Sequence, residues 1–234
     1  MALSAVLNTP VVFLFDVDNT LLDNDQVAAD LKRYLNREVG PACADRYWAI
    51  FEELRAERGY ADYLGALQRF RIQHSRDLRV LAASAYLIDY PFANRLFPSS
   101  LDAIAHVSQW GPAVIFSDGD VVFQPRKVER AGLFEAVAGR VLIYIHKEHE
   151  LDDVVERHPA DHYVLIDDKI RILTAVKQAW GARVTTVFPR QGHYAQAADV
   201  ASYPPADLTI ERIGDLLNYD VSALLEAARP EGTR

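Results

Sequence analysis

Five short apolar runs, separated by stretches of helical periodicity, constrain the fold of this chain more than any other feature. Each run is rich in β-branched and aromatic residues, as expected of a strand that is buried on both faces. The runs lie at residues 10–15, 113–116, 141–145, 163–166 and 184–188, with a weaker one at 208–210. Doubly buried strands that alternate with helices are typical of α/β proteins. The sequence therefore predicts a Rossmann-like parallel sheet flanked by helices.

Two of the segments between these runs show a clear helical face. The first face carries Leu101, Ile104, Ala105 and Ser108, and the second carries Ile172, Ala175, Val176 and Ala179. The first helix is predicted to end at Gly111 and Pro112, and the second at Gly181, because glycine and proline commonly follow the last helical turn.

Residues 24–90 contain no convincing strand, only helical periodicity. The predicted apolar stripes are Val27, Leu31, Tyr34 and Leu35; Tyr47, Ile50, Phe51 and Leu54; Tyr63, Leu67 and Phe70; and Leu78, Leu81, Ala82 and Ala85. We interpret the segment as an all-helical cap, 24–90, inserted into a core formed by residues 1–23 and 91–234. The alternative is an N-terminal helical domain with no role in chemistry. The insertion point favours the cap, because it follows the first strand at the loop that carries the strongest motif.

Charge and composition narrow the class of partner. The formal net charge of -8 at pH 7 argues against nucleic acid or an anionic membrane, which both reward clustered Lys and Arg. A small anionic substrate stays compatible with a locally positive pocket. The single cysteine, Cys43, excludes an internal disulfide, and no apolar run is long enough to span a bilayer. With no secretion-signal pattern, the expected location is cytoplasmic. No oligomeric state is predicted.

Two acids follow the first strand directly, at Asp16 and Asp18, in the pattern Asp-x-Asp-x-Thr that ends at Thr20. Carboxylates placed here lie at the carboxyl edge of the sheet, where open α/β folds bind ligands. Like charges this close require a cation or a donor, and an oxygen-rich site suits Mg²⁺. Turn and capping roles for Asp and Asn are the alternative interpretation of this motif alone.

Polar residues follow the next three strands as well. Ser117, Asp118 and Gly119 form a hydroxyl-bearing turn whose backbone N–H groups suit phosphate oxygens. Lys147 supplies a positive charge after the third strand, and the acid pair Asp167-Asp168 ends the fourth. The ordered set of acid pair, hydroxyl, lysine and acid pair is hard to explain by turns and surface charge alone.

In this order the motifs resemble those of the haloacid dehalogenase-like hydrolases, over nearly the whole chain. The matching residues are DVDNT at 16–20, Ser117, Lys147 and Asp167-Asp168. The resemblance implies that Asp16 attacks phosphorus and forms an aspartyl-phosphate intermediate, while Asp18 serves as general acid and base. Relatives that displace halide do not keep an acid at the second position. Asp18 therefore favours phosphoester hydrolysis.

The resemblance also implies a ligand set. Mg²⁺ would be held by Asp16, the main-chain carbonyl of Asp18 and the acid pair, with Asp168 as direct ligand and Asp167 behind it. The predicted catalytic residues are Asp16, Asp18, Ser117 and Lys147. The predicted substrate-binding residues are Thr20, Ser117, Asp118, Gly119 and Lys147. The expected activity is that of a Mg²⁺-dependent phosphatase acting on a small phosphorylated metabolite. Two alternatives are a phosphoryl-transferring mutase on the same scaffold and a weakly catalytic binding or regulatory protein.

Several residues carry no firm prediction. Lys169 departs from the small residue that relatives often place after the acid pair, which makes the metal geometry less certain. His146 and His149 flank Glu148 but are interpreted as solvated rather than metal-binding. Lys127 is interpreted as surface charge near the start of a helix after Pro125. The segment 188–194 is either a substrate contact or a surface turn, and the cap aromatics are assigned mainly to the cap's own core.

Overall fold

A single parallel sheet forms the centre of the molecule. The computed structural model describes residues 11–228. Its strands are β1 (Val11–Phe15), β2 (Ala113–Asp118), β3 (Val141–Tyr144), β4 (His162–Ile166), β5 (Val184–Pro189) and β6 (Leu208–Ile210). They lie in the order β3-β2-β1-β4-β5-β6, and every neighbouring pair is parallel. The predicted α/β class is confirmed; Pro10, at the start of the first predicted run, lies outside the described residues.

The two faces of the sheet are both buried, as the unbroken apolar runs predicted. Because side chains alternate along a strand, Phe13 and Phe15 of β1 face one side and Val12 and Leu14 the other. The first face packs in one continuous core with the helices of residues 24–88, and the second packs against α9, defined below. Burial on both sides fixes the register of the central strand.

Ten α-helices surround the sheet in the part of the chain that the structure describes. They are α1 (Asn24–Glu38), α2 (Pro41–Arg58), α3 (Tyr63–Gln73), α4 (Arg79–Ile88), α5 (Ser100–Val107), α6 (Phe123–Arg130), α7 (Leu133–Ala136), α8 (Leu151–Arg157), α9 (Ile170–Trp180) and α10 (Val221–Ala227). Short 3-10 helices occupy Phe92–Arg95, Lys147–His149, Gly181–Arg183, Tyr194–Gln196, Val200–Ser202 and Ile213–Asn218. No helix within residues 11–228 has both the length and the apolar character needed to cross a membrane.

Helices α1 to α4 occupy the segment predicted to form the cap. Asp23 caps α1 by accepting a hydrogen bond from the Gln26 N–H at 2.9 Å, and Gly59 ends α2 with a positive φ of 80°. The division of the chain into a core and a cap domain stays a prediction.

Two predicted helical faces are wrong. In α4 the buried residues are Val80, Ala83 and Leu87, whereas Leu78 is 76% exposed. In α5 burial falls on Ser100, Ala103, Ile104 and Val107, and the helix ends at Val107 rather than at Gly111. Both helices are short and rich in alanine, so several faces are apolar enough to be buried. Tertiary contacts, and not the local pattern, select the face.

The topology places β1 at a switch point. The chain runs outward from β1 to β2 and β3, then returns to place β4 on the other side of β1. Phe15 is in register with Ile115 of β2 and with Ile166 of β4. The residues that follow these strands therefore meet at one edge of the sheet, in the crevice where open α/β folds bind ligands.

Candidate active site

Asp16 lies at the carboxyl end of β1 and is 1% exposed. Its N–H donates to the Ile166 carbonyl at 3.0 Å, which fixes its backbone against β4. Its Oδ1 accepts hydrogen bonds from Lys147 Nζ at 2.6 Å and from Ser117 Oγ at 3.2 Å, while Oδ2 lies 3.4 Å from the Thr20 hydroxyl. Burial alone would raise the pKa of Asp16, but the nearby ammonium groups, foremost Lys147, outweigh it and hold this pKa below its usual value. Asp16 is a dry, ionised carboxylate.

Lys147 is the cation at the centre of the site. It follows β3, is completely buried, and places Nζ 2.6 Å from Asp16, 2.7 Å from Asp167 Oδ2 and 3.0 Å from the Phe116 carbonyl. Burial would lower the pKa of Lys147, but the carboxylates of Asp16 and Asp167 raise it above its usual value. The lysine therefore stays charged and bridges two strand ends.

Asp16, Asp167 and Asp168 converge, with one carboxylate oxygen of each within 4.8 Å of the others. Both Asp168 oxygens are buried and have no hydrogen-bond partner among the described residues, whereas Asp167 is ion-paired with Lys147. Burial raises the pKa of Asp167 to about 6, and burial beside Asp167 and Asp16 raises that of Asp168 well above its usual value. Carboxylates with no partner in a dry site fit a divalent cation. The Asp18 carboxylate is not part of this trio.

The interpretation of Lys127 as surface charge is wrong. Its side chain is 1% exposed, and Nζ lies 2.6 Å from Asp18 Oδ1 and 3.0 Å from Asn24 Oδ1. The helix begins at Phe123, earlier than predicted, so Lys127 lies one turn inside it and shares the inward face of Phe123. Asp18, whose side chain is 23% exposed, is thereby held in an ion pair at the edge of the site.

The turn after β2 is fixed by a residue that the sequence did not indicate. Gln124 is buried and donates from Nε2 to Ser117 Oγ at 3.0 Å, and Ser117 in turn donates to Asp16. Gly119 makes this approach possible, because a Cβ at that position would lie 2.5 Å from the Gln124 Cβ. Asp118 accepts the Lys147 N–H at 2.8 Å, so its carboxylate orders the loop after β3.

A cavity of about 200 Å³ lies between helices α1 to α3 and the carboxyl edge of the sheet. Asp18, Asp118 and Gly119 line it, whereas the buried Asp16 is not among the lining residues. The remaining lining residues are Asn19, Asn24, Asp25, Ala28, Trp48, Phe51, Glu52, Arg55, Gly59, Tyr60, Ala61, Tyr63, Phe123, Gln124, Lys127, Lys169, His193 and Tyr194. The cavity is thus lined both by predicted site residues at the carboxyl edge of the sheet and by residues from the helices and from the segment 188–194.

The segment after β5, left open between substrate contact and surface turn, reaches the cavity through His193 and Tyr194. His193 Nδ1 lies 2.6 Å from Asp25 Oδ1, and the His193 N–H donates to Asp25 Oδ2 at 2.9 Å. Gly192, at φ 66°, packs directly against Asn19, whose side-chain oxygen accepts the Asp25 N–H at 3.2 Å. This loop therefore fixes the first turn of α1 over the site.

Lys169 and the two histidines also have defined places. Lys169 Nζ lies 3.9 Å from Asp118 Oδ2 and 5.2 Å from the centre of the Tyr194 ring, on the wall of the cavity. His146 packs against Gly59 at the end of α2, and its ring centre is 5.7 Å from that of His149. Within residues 11–228, neither histidine belongs to a group of side chains spaced to bind a metal.

Comparison with known proteins gives one close match and several distant ones. Neither a family model nor a curated protein matches the chain. A haloacid dehalogenase-like hydrolase from Burkholderia xenovorans LB400 is 62% identical, with a TM-score of 0.87 over 91% of this chain and 100% of its own. A hydrolase of this type from Bacillus subtilis, bound to magnesium, is 17% identical, with a TM-score of 0.61 over 91% of this chain and 100% of its own. The L-2-haloacid dehalogenase from Xanthobacter autotrophicus with chloropropionic acid covalently bound is 19% identical, with a TM-score of 0.56 over 88% and 96%.

These comparisons contradict the prediction of a phosphatase and of its phosphoryl-transferring alternative, because L-2-haloacid dehalogenases share the fold. The prediction depended on Asp18 as a proton donor to the leaving group. The structure instead pairs Asp18 with the Lys127 ammonium, a role that does not require a phosphoester. Because the Burkholderia protein is 62% identical over 91% of this chain, the chain belongs to the haloacid dehalogenase-like hydrolases.

Proposed function

We propose that this protein hydrolyses a small anionic substrate in two steps, through a covalent ester on Asp16. The main support for this proposal is that Asp16 is a buried carboxylate whose Oδ1 accepts hydrogen bonds from Lys147 and Ser117. Within residues 11–228, the side-chain hydrogen bond to its Oδ2 comes from the Thr20 hydroxyl, at 3.4 Å, and Oδ2 is the oxygen better placed to attack. A desolvated, oriented carboxylate is a competent nucleophile.

We take 2-halocarboxylic acids as the substrate class. In the first step Asp16 forms a C–O bond to the carbon that carries the halogen, the carbon–halogen bond breaks, and halide leaves with the electron pair. The Xanthobacter dehalogenase with chloropropionic acid covalently bound supports this choice, as a protein of the same fold that holds such an acid covalently. Halide departs without a proton, so Asp18, an acid that halide-displacing relatives do not keep, is not needed in this step and stays paired with Lys127.

In the second step water attacks the Asp16 carboxyl carbon. The Asp18 carboxylate, two residues away at the edge of the cavity, accepts a proton from that water and returns it to the departing alkoxide. The products are a 2-hydroxy acid and a regenerated Asp16 that carries one oxygen from water, with one proton released to solvent. Lys127 holds Asp18 in place for this transfer through the 2.6 Å ion pair.

We propose Mg²⁺ as the cofactor. Asp16, Asp168 and the main-chain carbonyl of Asp18 would hold it, with Asp167 behind them against Lys147. The site brings five carboxylates near three ammonium groups, namely Asp16, Asp18, Asp118, Asp167 and Asp168 with Lys127, Lys147 and Lys169. The ion, when bound, would neutralise the excess negative charge and attract an anionic substrate. The magnesium-bound relative from Bacillus subtilis supports this assignment.

The test measures halide release from 2-chloropropionate with and without Mg²⁺, in the wild type and in Asp16→Asn. The variant should lose turnover, because the amide is a poor nucleophile, while the matched change of the exposed Asp102→Asn on α5 should leave the rate unaltered. A single turnover in ¹⁸O-water should place the label in the peptide that contains Asp16.

Two results would overturn the proposal. Turnover that persists in Asp16→Asn, or product labelled while the Asp16 peptide stays unlabelled, would exclude the covalent step. Release of phosphate from p-nitrophenyl phosphate, with no halide from any 2-halocarboxylate, would overturn the assigned leaving group.

A further inference from the structure

Four aromatic side chains form a continuous wall of the cavity. Trp48 and Phe51 come from α2, Tyr63 from α3 and Phe123 from α6, so the wall crosses from the helices of residues 24–88 to the core. Neighbouring ring centres are 5.2 Å apart for Trp48 and Phe51, 4.7 Å for Phe51 and Tyr63, and 5.3 Å for Tyr63 and Phe123. These rings pack in the core on one side and face the cavity on the other.

The wall is rigid. Tyr63 is held at both ends, because its carbonyl accepts the Tyr47 hydroxyl at 3.0 Å and its own hydroxyl accepts a hydrogen bond from Asn24 Nδ2 at 3.3 Å. Phe51, Tyr63 and Phe123 are all buried by the surrounding helices. A preformed aromatic surface favours an apolar ligand because little side-chain freedom is lost on binding.

The volume of the cavity is larger than a two- or three-carbon acid requires. An apolar cavity of about 150 Å³ holds one benzene molecule. The cavity here, of about 200 Å³, accepts a ring of that size and leaves room for a short acidic end. A substrate as small as chloropropionate would leave most of the aromatic wall in contact with water.

Charged groups supply the site for that acidic end. Lys127 and Lys169 line the same cavity, and Lys127 Nζ lies 5.2 Å from the centre of the Phe123 ring. Lys127 is therefore adjacent to the aromatic wall, and Lys169 lines the same cavity. Glu52 and Asp25 on the lining disfavour a second negative charge elsewhere on the ligand.

We propose that the natural substrate is an arylalkyl carboxylic acid, with one benzene-sized ring against the wall of Trp48, Phe51, Tyr63 and Phe123. The acidic end would then lie beside Lys127 and Lys169, toward Asp16. The identity of the reacting group rests on the proposed function, whereas recognition of the ring does not. Trp48 is the specificity-determining residue best suited to a test, since it is the one member of the wall that is only partly buried.

The experiment compares two unreactive probes, 3-phenylpropionate and propionate, by isothermal titration calorimetry on the full chain with Mg²⁺ present. The phenyl probe should bind at least about tenfold more tightly, because its ring removes apolar surface from water on both partners. Trp48→Ala should lose about tenfold in affinity for 3-phenylpropionate and little for propionate. Trp110→Ala is the matched control, because Trp110 precedes β2 and lies at the amino edge of the sheet, opposite the cavity. This variant should bind both probes as the wild type does.

Equal binding of the two probes by the wild type would overturn the proposal, whether or not Trp48→Ala folds. A Trp48→Ala protein that folds and keeps wild-type affinity for 3-phenylpropionate would also overturn the assignment of the wall. Halide release from 2-chloro-3-phenylpropionate is then measured separately. Tight binding of the phenyl probe without halide release would refute the proposed function alone.

Discussion

The contact between Gly192 and Asn19 yields a prediction whose size follows from the geometry. Gly192 has φ 66°, and a Cβ there would lie 2.4 Å from the Asn19 Cβ and 2.6 Å from its Cγ. Asn19 cannot easily move, because it has φ 60° itself and its side chain accepts the N–H groups of Asn24 and Asp25. Gly192→Ala should therefore cost about 1–2 kcal/mol for the left-handed backbone and about 1–3 kcal/mol for the overpacked contact.

Gly132→Ala provides the matched control. Gly132 has φ 78°, and a Cβ there would meet nothing within 4 Å, so this variant carries the backbone term alone. The difference between the two variants in free energy of unfolding should be about 1–3 kcal/mol, measured by urea denaturation. For a chain of this length that difference corresponds to roughly 2–12 °C in Tm.

Equal losses in the two variants would refute the reasoning, since they would show that Asn19 gives way at no measurable cost. If the reasoning is correct, the two variants should also differ in ligand affinity. Gly192→Ala should lower the affinity for the ligands of the cavity, because His193 and Asp25 would shift with the loop, and Gly132→Ala should not.

Three further predictions follow from buried polar groups. Without a divalent cation, the free energy of unfolding should fall as pH rises. The reason is that the folded-state pKa of Asp167, about 6, and that of Asp168 are raised above their unfolded values. The stability that these two groups contribute below about pH 4 is therefore lost as pH rises through about 6. Mg²⁺ should therefore raise Tm more at about pH 7.5 than at about pH 5, and equal shifts would contradict this. Lys127→Met should slow turnover about tenfold or more by freeing Asp18, with Lys127→Arg recovering part of the rate, and unchanged initial rates would exclude the role. Gln191→Ala should cost about 2–3 kcal/mol in urea denaturation, because the buried amide donates to two carbonyls and accepts one N–H, and a loss under about 0.5 kcal/mol would be inconsistent with those bonds.

The sheet and one edge of the site were predictable because their signals are local. A buried strand is an unbroken apolar run, and parallel strands bring their carboxyl ends to one edge, so Asp16, Ser117, Lys147 and the acid pair had to be neighbours. Their placement in space is a matter of topology. Each of these residues lies at or within three residues of the carboxyl end of its strand.

Residues contributed by helices and long loops were not predictable in this way. Gln124 and Lys127 enter the site from α6, whose start at Phe123 no local pattern indicated. His193 reaches the cavity through a contact between Gly192 and Asn19 that no local pattern records. The predicted leaving group was wrong for a related reason, because the chemical role of Asp18 depends on its ion-pair partner, Lys127.

The order of the strands also has a consequence for synthesis of the protein on the ribosome. Phe15 of β1 must pair with Ile166 of β4, so the central strand stays without one of its two neighbours until β4 has emerged from the exit tunnel. During that interval the all-apolar strand β1 is a ready binding segment for chaperones. Asp16 is therefore translated early, but its ion-pair partner Lys147 and the acid pair that lies beside it are translated late.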